Sequence, residues 1–411
     1  MLSFLPLIRN EWRLLLFGFV MTFGSSFGQT YFIGLFSGDI RAELDLSHGD
    51  FGVIYSTATL ASAVLLLWTG SLIDRLDLRL YACLVAAGLS AACLLMAASE
   101  GPLVLFLAIL ALRHLGQGLM GMAGPTAMVR YLDHHRGKAN ALSGMGFSLS
   151  EAILPTLVIA LLAALGWRQS WLFWGTALLV IAPALSLWLL RSHKSRHASY
   201  MQELEKTSET AASGYRRQWT RGEVLRDPVF YLFLPALLAQ PMLFTGFMFH
   251  QVHLVDEKGW SITAWAGLYV FYALVNTLCK LLAGLMVDNL GAVRLAPLVC
   301  LPLGGGLALL ASSDHFIAGW VFMGMMAISI GFYSTLSSPF YSEMYGTRHL
   351  GSIKSLTSSA MVFATAIAPV VMGWLIDAGV SMNTMAMGGA AYTLLASGCA
   401  FVARLQRPAA P

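Results

Sequence analysis

Lys280 is the only charged residue between Lys258 and Asp288, and it stands in the stretch NTLCKLLAGLMVDNLG (residues 276–291). An ammonium at the centre of an apolar helix costs about 2.5–3.5 kcal/mol on insertion scales, so it faces protein, water or a counter-ion. Lys280 is eight residues from Asp288, about 12 Å along a helix. That depth leaves two roles open: a stem that carries the charge toward the interface, or contact with an anionic solute. Arg113 and Glu151 interrupt two other apolar runs, about 18 and 22 Å from the glycines Gly101 and Gly166 that bound them. Similar depths on consecutive helices point to a buried pair, because an unpaired ion there would neutralise or be expelled. As a structural pair, the two residues would fix packing. As a functional pair, its opening would change the affinity of Glu151 for a proton. If they cancel, Lys280 leaves one net positive charge, and an anionic substrate would supply the counter-ion.

Several uncharged polar residues share these runs. Asn276 lies four residues before Lys280 and so on the same helix face. Gln29, Tyr31, Tyr333, Ser337 and Ser359 are the further candidates to line a substrate cavity. Each would serve equally well as an interhelical hydrogen bonder. His250 and His253 sit three apart, and His250, the deeper, is either a proton site or an interfacial hydrogen bonder. The five cysteines all fall in apolar runs without metal-ligand spacing, so neither a zinc site nor a disulfide framework is expected. No cofactor is implied. Nucleotide-binding glycine loops and nucleophile motifs are missing, which argues against an enzyme.

These residues need elements to hold them. Of the 411 residues 57% are hydrophobic and only 11% charged, against roughly 25% charged in soluble domains. Mean hydropathy is +0.69. Apolar runs of about 20 residues fit membrane-spanning helices, and they are too uniform for the alternating strands of a barrel. The pattern predicts an all-α integral membrane protein with twelve transmembrane helices: 14–37, 51–73, 80–99, 102–128, 139–164, 170–190, 229–254, 263–287, 293–312, 316–340, 352–376 and 385–403. One set of alternate loops, with both termini and the central segment, carries 20 of the 25 Lys and Arg residues. The positive-inside rule therefore places both termini in the cytoplasm, with the protein multi-pass in the cytoplasmic (inner) membrane. The net charge of +4 follows from this loop bias and implies no nucleic-acid partner. Residues Leu2 to Ile8 precede their charges and lack a small-residue cleavage site, so the first helix is expected to act as its own insertion signal.

The chain also repeats itself. A six-helix bundle (1–190), a polar central loop (191–228) and a second six-helix bundle (229–411) are expected, making two six-helix pseudo-repeats. GSLIDRLDLR (70–79) is matched by GLMVDNLGAVR (284–294), with Gly70 and Asp74 spaced like Gly284 and Asp288. GKANALS (137–143) is matched by GSIKSLT (351–357), and Pro155 and Pro369 follow at equal distances. Parallel repeats of this kind suggest a transporter with its site near the midplane.

GSLIDRLDLR resembles the signature between helices 2 and 3 of the major facilitator superfamily, and RHLGQG (113–118) resembles that superfamily's fourth-helix pattern. The resemblance spans the whole chain and implies the major facilitator fold. It also implies a conformational latch at Gly70, Asp74, Arg75 and Arg79, with Gly284 and Asp288 as the equivalents in the second half. The departure is Asp77, where the family usually has Gly. NTLCKLLAGLMVD further resembles the eighth helix of the monocarboxylate and oxalate/formate carriers, with Lys280 at their Arg position. Lysine keeps the charge and loses the planar fork.

The expected function is alternating-access transport of a small organic anion, a monocarboxylate, coupled to protons. Lys280 would meet the anion, and Glu151, with Arg113, or His250 would carry the proton. The expected partners are the substrate, protons and the lipid bilayer, with the protein acting as a monomer. The alternative is a proton-antiport exporter of drugs or metabolites, although GFSLSEAILP (146–155) lacks the Gly-Pro-rich pattern usual in such antiporters.

Overall fold

The computed structural model describes residues 5–70, 72–132, 136–191, 193, 196, 219–346 and 350–406. Every regular element among them is helical. Among the described residues, eleven helices are long and apolar enough to cross a membrane, from His48–Leu66 to Met382–Gln406. They overlap eleven of the twelve expected runs.

The exception is the first run. Residues 14–37 are expected as one helix, but the chain forms Leu5–Gly24, a 3₁₀ turn at Ser25–Gly28, an extended Gln29 (φ −83°, ψ 151°) and a new short helix, Thr30–Gly34. The sequence there, GSSFGQT, combines two flexible glycines with hydroxyl side chains that compete for backbone partners. The fourth run also departs from ideal geometry. It begins as an α-helix at Pro102–Ala111, widens to a π-helix at Leu112–Met120 and resumes at Gly121–Tyr131.

Helix boundaries follow local chemistry. Asp77 caps the Leu78–Ala97 helix by accepting from Arg79 N at 2.9 Å. The residue that departs from the family pattern thus satisfies an otherwise orphan backbone donor. Asp227 precedes Pro228 and caps the Pro228–Phe249 helix, and Ser261 caps Ile262–Leu290. Gly166 (φ 79°) and Gly291 (φ 82°) sit between consecutive helices in conformations that L side chains rarely adopt.

The chain divides into two compact units, 1–44 with 57–214, and 45–56 with 215–411. In the first, small residues bring helices close: Thr22 Oγ1 donates to Ser143 O at 2.5 Å, and Ser90 Oγ donates to Gly175 O at 2.7 Å. In the second, Phe230, Phe233, Phe340 and Tyr345 belong to one buried core, and Asp227 accepts from the Tyr345 hydroxyl at 3.2 Å.

Each unit also carries a basic residue that ties helix ends together. In the first unit Arg168 donates to Glu43 at 2.8 Å and to the carbonyls of Ala97 and Ser99 at 2.6 and 2.8 Å. In the second, Lys258 donates to the carbonyls of Leu310 and Ser313 and to Asp314 Oδ1, at 2.7, 2.9 and 2.6 Å. Three short bonds satisfy all three ammonium donors of a residue that is only 7% exposed.

Candidate functional site

In the first unit the broken helix and the widened helix meet. A Cβ at Gly28 would overlap Leu112 O and come within 2.6 Å of Gln117 N, so only glycine fits against the π-helical turn. Arg113, 3% exposed, sends Nη1 to Gly28 O at 3.0 Å and to Thr30 Oγ1 at 3.4 Å. The break at Gln29 interrupts the helical ladder beside Gly28, and the guanidinium occupies that carbonyl. Gln29 itself is half-buried, and its backbone N–H turns back to Ser26 O at 3.0 Å.

Around this break lies a small polar cluster. Ser26 Oγ and Ser150 Oγ are 2.5 Å apart, and Ser150 also donates to Phe147 O at 2.8 Å. Tyr31 is 2% exposed, and its hydroxyl is close enough to Ser26, Ser150 and Glu151 to interact with each. Glu151 is half-buried on the Arg136–Leu165 helix. Arg113, Gln29, Tyr31 and Glu151, four of the predicted residues, therefore flank one discontinuity. His114 turns elsewhere, toward Ser62 O at 3.4 Å and Thr69 Oγ1 at 3.2 Å.

In the second unit Lys280 and Asn276 sit on the Ile262–Leu290 helix. A Cβ at Gly331 would lie 3.1 Å from Asn276 O and 3.3 Å from Lys280 N, so the Ile317–Tyr345 helix runs directly against this turn. Lys280 is half-buried, whereas Asn276 is 2% exposed and its Oδ1 has no hydrogen-bond partner among the described residues. The Tyr333 hydroxyl lies 3.5 Å from Met361 Sδ, Ser337 is half-buried and Ser359 is exposed. His250 ends the Pro228–Phe249 helix, 3% exposed, with Nε2 2.8 Å from Pro369 O. Its ring neighbours His48, whose ring in turn meets His253 with centroids 4.4 Å apart.

The expected latch residues are partly visible. Gly70 closes the His48–Thr69 helix through its N–H to Leu66 O, and Arg79 donates to Arg191 O at 2.7 Å. The side chains of Asp74, Arg75 and Asp288 lie outside the described residues. Gly284 is half-buried, with open space where a Cβ would go. Glu343, not singled out by the sequence, binds the backbone N–H groups of Ala292 and Val293 at 2.9 and 3.1 Å, just after Gly291. Gln240, likewise missed, is 1% exposed, and its Nε2 has no hydrogen-bond partner among the described residues. No metal-binding cluster occurs among the described residues.

Residues 18–369 match the family model of the Major Facilitator Superfamily. Two solved structures share the fold over nearly the whole chain. One is a bacterial homologue of the human lysosomal transporter Spinster, inward-facing and occupied, with a TM-score of 0.66, 13% identity, and coverage of 97% of this chain and 96% of that one. The other is the nucleoside transporter NupG, with a TM-score of 0.68, 14% identity, and coverage of 96% and 98%. No curated protein matches. At such identities the likeness is one of fold.

Proposed function

Because the chain belongs to the major facilitator superfamily, and is therefore a multi-pass membrane transporter and not an enzyme, we propose that its cargo is a small organic anion, a monocarboxylate, moved by alternating access together with protons. Lys280 carries this reading. It places a half-buried ammonium within an apolar helix, one turn from an Asn276 oxygen that lacks a partner among the described residues. A carboxylate would supply the counter-charge that offsets the cost of holding the ammonium there. The match of NTLCKLLAGLMVD to the monocarboxylate branch supports the same substrate class.

Proton coupling is assigned to Glu151. It lies within electrostatic reach of Tyr31 and next in the chain to Ser150, whose hydroxyl meets that of Ser26, a set of hydroxyls able to pass a proton, and at a depth similar to that of Arg113. Pairing with Arg113 in one conformation and separation in another would alternate its proton affinity. His250 is the second proton candidate. The loop bias in Lys and Arg supports cytoplasmic termini and an inner-membrane location, and a monomer suffices for the mechanism.

The test is uptake of labelled carboxylates into proteoliposomes under an imposed pH gradient, comparing the native protein with Lys280→Met and Glu151→Gln. Accumulation that Lys280→Met abolishes, and exchange that survives Glu151→Gln while gradient-driven uptake is lost, are the expected outcomes. Normal transport by Lys280→Met would overturn the anion reading in favour of export by antiport.

A further inference from the structure

Three histidines crowd together within the second unit. His48 opens the His48–Thr69 helix, His250 follows the last residue of Pro228–Phe249, and His253 lies on Gln251–Glu257. The His48 ring lies 4.4 Å from that of His253 and 5.7 Å from that of His250, centroid to centroid. His48 and His253 are half-buried, within reach of solvent protons, and His250 is buried. Neutral rings pair readily at such distances. Two imidazolium rings would repel each other there, since a like charge within about 4–6 Å disfavours the charged form.

The charged groups around the rings balance one such charge. Glu257 Oε2 is 3.5 Å from His253 Nε2, one helical turn on, and the same carboxylate accepts from Met382 N at 2.9 and 3.0 Å. Asp377 binds the backbone N–H groups of His48 and Gly49. Asp45, Asp50 and Asp256 are exposed, and Lys258 turns to Asp314. His250 Nε2 lies 2.8 Å from Pro369 O, an oxygen that only accepts, so this nitrogen carries the proton of the neutral ring and a second proton would enter at Nδ1.

The other contacts that hold residues 45–56 in this unit do not titrate near neutrality. Phe51 stacks on Phe249 with centroids 5.1 Å apart, and Tyr55 meets the same ring at 4.4 Å. The backbones approach closely as well: a Cβ at Gly52 would lie 2.8 Å from Pro369 O, and one at Gly373 would lie 2.6 Å from His48 O. The histidines thus supply a part of this packing that responds to mild acid.

We propose that His48, His250 and His253 form a pH-sensitive fastening, which holds residues 45–56 in place at neutral pH and loosens them once two of the rings are protonated. The sign follows from proton counts. A loosened segment separates the rings and binds a proton that the packed one excludes, so packing is complete above the histidine range and weakens as pH falls through it. The device is independent of which solute is carried and of the roles given to Lys280 and Glu151.

The experiment is hydrogen exchange of the full-length protein in detergent, read by mass spectrometry from about pH 7.5 to 5.5 and corrected for the intrinsic pH dependence of exchange. Protection of residues 45–56 should fall with pH, by up to about tenfold per pH unit for each excluded proton. That of Leu301–Ser312, a helix without a titratable side chain, should stay constant. In His48→Gln and His253→Gln the fall should shrink, and in the double variant it should vanish. A flat profile for residues 45–56 in the native protein overturns the proposal, and that outcome needs no variant. A fall that persists in the folded double variant overturns it too, by placing the effect on the carboxylates. Thermal unfolding at neutral pH shows which variants are folded.

Discussion

The carboxylate of Asp377 accepts from the backbone N–H of Gly49 at 2.7 Å, and its other oxygen accepts from His48 N at 3.1 Å. One exposed side chain at the end of the Leu350–Asp377 helix thus caps the start of the helix His48–Thr69, whose first residues belong to the second unit. Contact is close enough that a Cβ at Gly49 would lie 2.7 Å from the Trp374 ring. Asp377→Ala removes this cap and should lower the stability of the detergent-purified protein by about 0.5–2 kcal/mol, the usual range for a lost N-cap. Differential scanning fluorimetry of the pair decides it, and an unchanged unfolding temperature would refute the capping role.

Gly28 and Arg113 should fail in different ways. Gly28→Ala drives a methyl into Leu112 O, an overpacking that costs about 1–3 kcal/mol. Arg113→Met removes a donor from the buried Gly28 carbonyl, also worth about 1–3 kcal/mol. Because the two residues share one contact, the double variant should lose less than the sum of the single losses. Thermal unfolding of all four proteins gives the coupling.

Acid should weaken the link between Lys258 and Asp314. The hydrogen bond from Lys258, and then its charge, hold the Asp314 carboxyl below its ordinary 3.8. A depressed carboxyl adds stability above its unfolded value and loses it as pH falls through the lower folded value. The contribution is therefore complete at neutral pH and disappears below about pH 3.8. Solvent screens this exposed carboxylate, so the amplitude is small. Unfolding temperature against pH should show a shallower acid limb in Asp314→Asn than in the native protein. Glu43, lowered by Arg168 and Trp167, predicts the same sign for Glu43→Gln in the first unit.

Glu343→Ala deprives Ala292 and Val293 of their acceptor at the start of a helix and should cost about 1 kcal/mol. Glu343→Gln keeps one acceptor oxygen and should recover part of it. Equal losses in both variants would place the effect in charge instead of capping.

Eleven spans were legible because length and hydropathy alone decide whether a helix is long and apolar enough to cross a membrane. The pairing of Asn276 with Lys280 on one face was legible for a similar reason, since helical spacing fixes it. The break at Gln29 was not, because hydropathy is blind to it and its stabilising partners, Arg113 and the π-helical turn, lie some 85 residues away. Its clue, two glycines around two serines, also occurs in helices that merely pack closely. Gln240 could not be found at all from sequence, as an amide acquires meaning only when its neighbours fail to satisfy it. Asp77 was read as a departure from a family pattern, although an aspartate just before a helical run is itself a start signal.

The widened turn at Leu112–Met120 has a consequence for how this segment tolerates length changes. A π-turn holds one more residue than an α-turn, so it behaves as a single inserted residue absorbed within a helix. Losing one residue within Leu112–Met120 would therefore let the segment close into a regular ladder with the faces on either side kept in phase. Losing one from the regular stretches Pro102–Ala111 or Gly121–Tyr131 would instead rotate the two sides by about 100° relative to each other. The widened turn is thus the place in this segment where a change of length disturbs the flanking faces least.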